Sequence, residues 1–146
     1  MTENQKTKLI ELAKSLIGKP YKYGARPEDA PNEFDCSSFT QYIFKHIGID
    51  LPRSTILQAE WGESVTLENI QPGDLLFFHG TQGFYNQKFP QGIGHVVLYI
   101  GDDRTIHAAS ERIQENPVIE AGKVEQQPLE YVKEKYKPLI AIKRDF

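Results

Sequence analysis

The chain has 146 residues, enough to bury one substantial core and too few for two comfortable ones, so a single domain over residues 1–146 is expected. Its 17 Lys and Arg are interspersed with 20 Asp and Glu for a formal charge of −3. That balance supplies no field to steer it toward nucleic acid or an anionic membrane, and neither is expected as a partner. No stretch approaches the roughly 18 apolar residues that span a bilayer, and Met1-Thr2-Glu3-Asn4-Gln5 lacks the basic start and apolar run of a signal peptide. The chain as given therefore reads as cytoplasmic, with export to the cell envelope the alternative if a signal has been trimmed away. There is no Cys/His cluster with zinc spacing, no Gly-rich phosphate loop ahead of a helix and no internal repeat, so no metal and no cofactor is expected.

Thr2 with Gln5 forms a capping box, and Leu9, Ala13, Leu16 and Ile17 recur at helical spacing until Gly18 and Pro20, which predicts a helix over Glu3 to Ile17. Lys19 to Glu33, with three prolines, reads as a long loop that must pass close to Cys36. A second helix begins at Cys36, where Phe39, Ile43 and Ile47 continue the apolar stripe and Gly48 supplies the stop. Leu51-Pro52-Arg53-Ser54-Thr55 leads into a short third helix, with Thr55 and Gln58 as a further capping box. Beyond Pro72-Gly73-Asp74 the pattern becomes strand-like over Leu75 to Phe78, His95 to Ile100, Thr105 to Ala109 and Leu139 to Lys143. Helices first and strands later, with short links between strands, predict an α+β domain whose N-terminal helices pack on a mostly antiparallel sheet. Gly80 to Gly94 reads as an extended inter-strand loop, and Trp61 as core or cleft wall.

Cys36 is the only cysteine, so it has no internal disulfide partner and is either core filler or a reactive thiol. Asp35 and Ser37 flank it as helix-start residue types, and a sulfur in the first turn sits among unpaired N–H groups that favour a thiolate. Thiol chemistry needs a base and a third group to orient that base. His95 and His107 lie on consecutive strands joined at Gly101-Asp102-Asp103. If that turn is a three-residue loop, Ile100 faces Arg104 and the two histidines share one face as near-diagonal neighbours, about 7 to 8 Å between backbones. A loop one residue shorter or longer puts them on opposite faces. His79 is a rival base that reads as surface, and His46 reads as a helix C-terminal charge.

From Pro20 to Ala109 these residues resemble the NlpC/P60 family of papain-like cysteine peptidases, bacterial enzymes that cut peptide bonds in peptidoglycan stem peptides. The resemblance rests on Pro20-Tyr21-Lys22-Tyr23-Gly24, Phe34-Asp35-Cys36-Ser37-Ser38-Phe39, Leu51-Pro52-Arg53-Ser54 with Gln58, Pro72-Gly73-Asp74-Leu75-Leu76-Phe77-Phe78, Gly94-His95-Val96 and Ile106-His107-Ala108, in that order. It implies the papain-like NlpC/P60 fold, Cys36 as nucleophile, His95 as general base and acid, and His107 as the orienting residue. It further implies that Tyr21 lines the nucleophile's pocket and can donate toward an oxyanion. Asp35 and Ser37 would lie in the substrate cleft, Asp35 pairing with a free amino terminus.

The implied substrate is a peptidoglycan stem peptide or muropeptide fragment, cut after a γ-linked D-glutamate. Arg53 is expected to be structural. Ser38 and Ala25 stand where the family usually has glycine, the Tyr21 to Cys36 segment is longer than usual, and the Gly80 to Gly94 loop reads as a cleft wall or lid. Two other readings fit the same residues: a thiol amidase or acyltransferase on another small substrate, and a non-catalytic module that binds wall fragments.

Overall fold

The structure, a computed structural model, describes residues 2–80 and 87–146. Helix α1 (Glu3–Ser15) starts in the expected capping box, the Gln5 N–H donating to Thr2 Oγ1 and the Thr2 N–H to Gln5 Oε1. Leu9 and Ala13 are its buried face. Helix α2 (Cys36–Lys45) is capped by Asp35, whose carboxylate accepts the Ser38 N–H while the Ser38 hydroxyl accepts the Asp35 N–H. Ser38 thus completes the cap that seats Cys36 at the first helical position. Helix α3 (Thr55–Ala59) is capped by Ser54 and not by Thr55. Gln58, expected to close that box, is buried and bonds Thr40 Oγ1, the Ser37 carbonyl and the Pro52 carbonyl, tying α3 to α2.

The strands come next: β1 (Glu63–Ser64), β2 (Leu75–Phe78), β3 (His95–Gly101), β4 (Arg104–Glu115), β5 (Val118–Pro128), then helix α4 (Leu129–Lys135) and β6 (Leu139–Arg144). They form one antiparallel sheet in the order β1-β6-β2-β3-β4-β5. Alternation along the central strands divides the core between the two faces. Leu75, Phe77, Val96, Leu98, Ile106 and Ala108 join α1 and α2 on one side. Leu76, Phe78, Val97, Tyr99 and Ile142 join Leu129 and Val132 of α4 on the other. β2 is therefore buried on both faces, which explains its unbroken run Leu75-Leu76-Phe77-Phe78.

Three expectations are corrected. β5 and α4 lie in a stretch where no element is expected from sequence: β4 and β5 form a long arm that extends past β3, and few of its outer residues are buried. Trp61 is neither core nor cleft wall but 52% exposed. The turn between β3 and β4 holds two residues, Asp102 and Asp103, both left-handed with φ of 51° and 57°. Gly101, not Ile100, faces Arg104. A straight two-residue hairpin would have separated the two histidines. The irregularity between Tyr99 and Gly101 adds one residue to β3, and the register Tyr99↔Thr105 and Leu98↔Ile106 restores the parity that puts both on the α4 face. Of the expected Gly80 to Gly94 loop, Thr81 to Asn86 lie outside the described residues, and so does its reading as wall or lid. Among the described residues no helix is long and apolar enough to cross a membrane.

Candidate active site

The thiol and the imidazoles reach the same place from opposite faces of the sheet. Cys36 belongs to the helix-side core and is 7% exposed, whereas His95 and His107 take the parity of Val97 and Tyr99. They meet at the end of the sheet, where β3 begins: the Gly94 carbonyl lies 4.0 Å from Cys36 Sγ. Cys36, His95, Tyr21, Asp35 and Ser37 all line one cavity of about 410 Å³. His107 stands behind His95, fully buried, with its Nδ1 2.8 Å from His95 Nε2. Because that contact occupies Nε2, Nδ1 is the His95 nitrogen left for the thiol.

Two residues that the sequence analysis missed pack against the histidine pair. Gln127 Oε1, on β5, lies 2.6 Å from His107 Nε2. Tyr136, just past α4, stacks on His95 and meets His107 edge-on. No recognisable motif marks either one; both fall in the polar stretch after β4. His79 is exposed and reaches only the rim of the cavity.

Burial pushes the Cys36 thiol up, against weaker opposing hydrogen bonds from the Thr55 hydroxyl, 3.5 Å away, and from the Val96 and Ser37 N–H groups. Burial is the largest of these influences and favours the neutral thiol. Burial likewise holds His95 well below the ordinary histidine value, helped by His107 and Lys135, and holds His107 at about 4. The resting arrangement is a neutral thiol beside a neutral imidazole pair.

Tyr21 is held by the backbone of its neighbours. Its N–H donates to the Gly122 carbonyl of β5, and it bridges to Phe34, so the long loop does pass beside Cys36 as expected. Burial, then Cys36 and Glu120, raise its phenol well above the ordinary value, so it remains a protonated donor next to the sulfur. Arg53 is more than a helix-start residue. Its guanidinium lies 2.7 Å from Asp35 Oδ2 and 2.8 Å from Ser37 Oγ and also bonds the Ala25 carbonyl. Asp35 is thereby held in place by an internal cation while remaining on the cavity lining. Opposite it, the β4–β5 arm places Ser110, Arg112 and Glu120 on the cavity wall, Glu120 accepting from both others. Among the described residues, no three His, Cys, Asp or Glu side chains converge as a metal site would require.

A helical thiol facing a strand-borne histidine pair across the end of an antiparallel sheet is the layout of a papain-like domain. A profile of the NlpC/P60 family matches residues 18–136, and the chain belongs to that family. It is 39% identical over 108 residues to the gamma-DL-glutamyl hydrolase of Bacillus subtilis, covering 72% of this chain and 24% of that protein. It is 35% identical over 120 residues to the gamma-D-glutamyl-L-lysine dipeptidyl-peptidase of Bacillus cereus, covering 81% and 33% respectively. The crystal structure of an NlpC/P60 family protein from Bacillus cereus superposes with a TM-score of 0.72 at 30% identity, over 95% of this chain and 39% of that one. The chain thus spans a third or less of the length of these two sequence relatives.

Proposed function

We propose that the chain is a cysteine peptidase that hydrolyses the amide bond between a γ-linked D-glutamyl residue and the following diamino acid in peptidoglycan stem peptides, using Cys36, His95 and His107. One observation carries the reading: a buried thiol at the first turn of a helix shares a cavity with a histidine whose far nitrogen is held at 2.8 Å by a second histidine. The γ-glutamyl linkage is supported by the names of the two Bacillus relatives.

Since thiol and imidazole are both neutral at rest, the proton moves as the bond forms. His95 Nδ1 takes it from Cys36 Sγ while the sulfur attacks the carbonyl carbon. The oxyanion is met by the N–H of Cys36, which has no intrahelical acceptor at the first helical position, and by the Tyr21 hydroxyl. Collapse breaks the C–N bond, and His95 returns the proton to the leaving amine. Water, deprotonated by His95, then attacks the thioester, releasing the acid and restoring the thiol. The amino-terminal part of the peptide lies against Asp35, Ser37 and Tyr21. Arg53 holds Asp35 and Ser37 in place, and Asp35 with Glu120 across the cavity favours a free ammonium.

The test is incubation of wild type and Cys36→Ala with L-Ala-γ-D-Glu-diamino acid peptides carrying free or acetylated amino termini, with products identified by mass. Release of the L-Ala-γ-D-Glu dipeptide by wild type alone, reduced by acetylation, is expected. A folded wild type that cuts no stem peptide overturns the reading.

A further inference from the structure

We infer that Gln127 is a positioning residue of this site: its side-chain oxygen fixes which ring nitrogen of each histidine carries the proton, leaving bare the His95 nitrogen not engaged by His107. The inference rests on the thiol–imidazole reading above.

Donors and acceptors decide the tautomers. An amide oxygen only accepts, so the 2.6 Å contact from Gln127 Oε1 requires a hydrogen on His107 Nε2. A neutral imidazole carries one N–H, so His107 Nδ1 is then an acceptor. The 2.8 Å contact at that atom requires the hydrogen on His95 Nε2. His95 in turn has one N–H, and its Nδ1 is left bare. A chain of two hydrogen bonds thereby passes a choice made at Gln127 through two rings to the atom that must receive the thiol proton.

Gln127 is itself well anchored. It sits opposite Thr105 in the β4–β5 register, and the Thr105 hydroxyl donates to its backbone carbonyl at 2.9 Å. His107 is fully buried, so its ring cannot exchange Gln127 for bulk water. An amide suits the position because it accepts without bringing charge. A carboxylate there would draw a proton onto the pair, whereas the Lys135 charge now facing it discourages one. Lys135, at the end of α4, disfavours protonation of both rings, and its own charge is engaged by Glu111 of β4. Glu125 of β5 stands opposite His107 in the register, and Tyr136 covers His95. Asp35 and Glu120 lie across the cavity on the thiol side.

The inference is tested on the full chain without any peptide. With 15N-labelled histidine, two-bond correlation spectra distinguish the two neutral tautomers; the chain has four histidines, and His95→Ala and His107→Ala assign the relevant signals. Wild type near pH 7 is expected to show the Nε2–H form at both positions. Gln127→Leu, which removes the acceptor, is expected to show His107 in both forms and to lower the alkylation rate of Cys36 by iodoacetamide roughly tenfold or more. Gln127→Glu keeps an acceptor in place and adds a charge that draws a proton onto the pair; its base-assisted alkylation is expected to be lost at a higher pH than in wild type.

An Nδ1–H form at His107 in wild type overturns the inference, even if Gln127→Leu fails to fold. So does a folded Gln127→Leu with wild-type tautomers and alkylation. Stem peptides left uncut by a wild type with both Nε2–H forms would sink the peptidase reading alone. Peptides cut by a wild type with the other tautomer would sink the role of Gln127 alone.

Discussion

Tyr136 lies flat on His95, with ring centroids 4.2 Å apart and planes inclined by 23°. The same tyrosine meets His107 edge-on at 5.5 Å, so one side chain fixes the tilt of both imidazoles. Among the described residues its hydroxyl has no hydrogen-bond partner although it is buried, and burial raises it to about 12. The ring makes the contacts with both imidazoles. Tyr136→Phe is expected to be as stable as wild type or more so by about 1 kcal/mol in urea unfolding, since a desolvated hydroxyl is removed. Tyr136→Leu keeps bulk but loses the flat face, and its kcat on stem peptides is expected to fall about tenfold below that of Tyr136→Phe.

The histidine pair makes the fold acid-sensitive. Both rings titrate lower in the fold than the ordinary value of about 6.5, so the unfolded chain binds more protons below that pH and stability falls as pH falls. For His107, at about 4 in the fold, the contribution is complete above pH 6.5 and amounts to about 3 kcal/mol, lost between there and pH 4. Asp145, raised by burial to about 6, has the opposite sign over part of this range. The expected outcome is therefore read as a difference: urea midpoints at pH 7, 5.5 and 4.5 should fall more steeply for wild type than for His107→Leu. Parallel slopes would contradict the buried neutral pair.

Gly94 and Gly80 bring two chain segments together beside the thiol. A Cβ on Gly94 would lie 2.5 Å from the Cα of Gly80, backbone against backbone, so the segments must part. The Gly94 carbonyl faces Cys36 Sγ and the next residue is His95. Gly94→Ala is expected to retain the wild-type far-ultraviolet circular dichroism while kcat drops on the order of a hundredfold, the usual effect of moving reacting groups by an ångström or so. A kcat within twofold of wild type would show that the close approach has no bearing on catalysis.

Away from the cavity, Asp74 is fully buried and held by Arg144 through two 2.9 Å contacts, joining the start of β2 to the end of β6. Removing one partner strands the other. Arg144→Met is expected to lose about 3 kcal/mol in urea unfolding, with KM for stem peptides unchanged at temperatures where the variant is folded. A loss under 1 kcal/mol would mean that Asp74 is satisfied by the Gln71 N–H alone.

An element is readable from sequence where burial and local chemistry leave a mark on the chain. Cys36 is legible because a lone thiol, a capping aspartate and an apolar helical stripe coincide. β2 and β3 are legible because both faces are buried and the apolar runs are unbroken. The shared face of His95 and His107 is anticipated through the wrong turn: two left-handed aspartates and a bulge do what a three-residue loop was expected to do, and a bulge has no sequence mark here. β5 is invisible because of its eleven residues only Val124 is buried, so nothing alternates. Gln127 and Tyr136 go unseen with it. Arg53 reads as a helix-start residue because its partners, Asp35, Ser37 and Ala25, are distant in sequence and converge only in the folded chain.

The two histidines, Gln127 and Tyr136 all come from one continuous stretch, residues 95–136, whereas Tyr21, Asp35 and Cys36 come from another that ends well before it. Neither stretch is chemically competent by itself. An isolated first stretch holds a thiol with no proton acceptor, and an isolated second stretch holds an acceptor with nothing to activate. In the reading proposed above, cutting is therefore withheld from a half-folded chain, and a nascent molecule does not carry a live nucleophile ahead of the walls that select its substrate. During refolding, stem-peptide cleavage should appear only once the contacts that join residues 20–36 to residues 95–136 have formed.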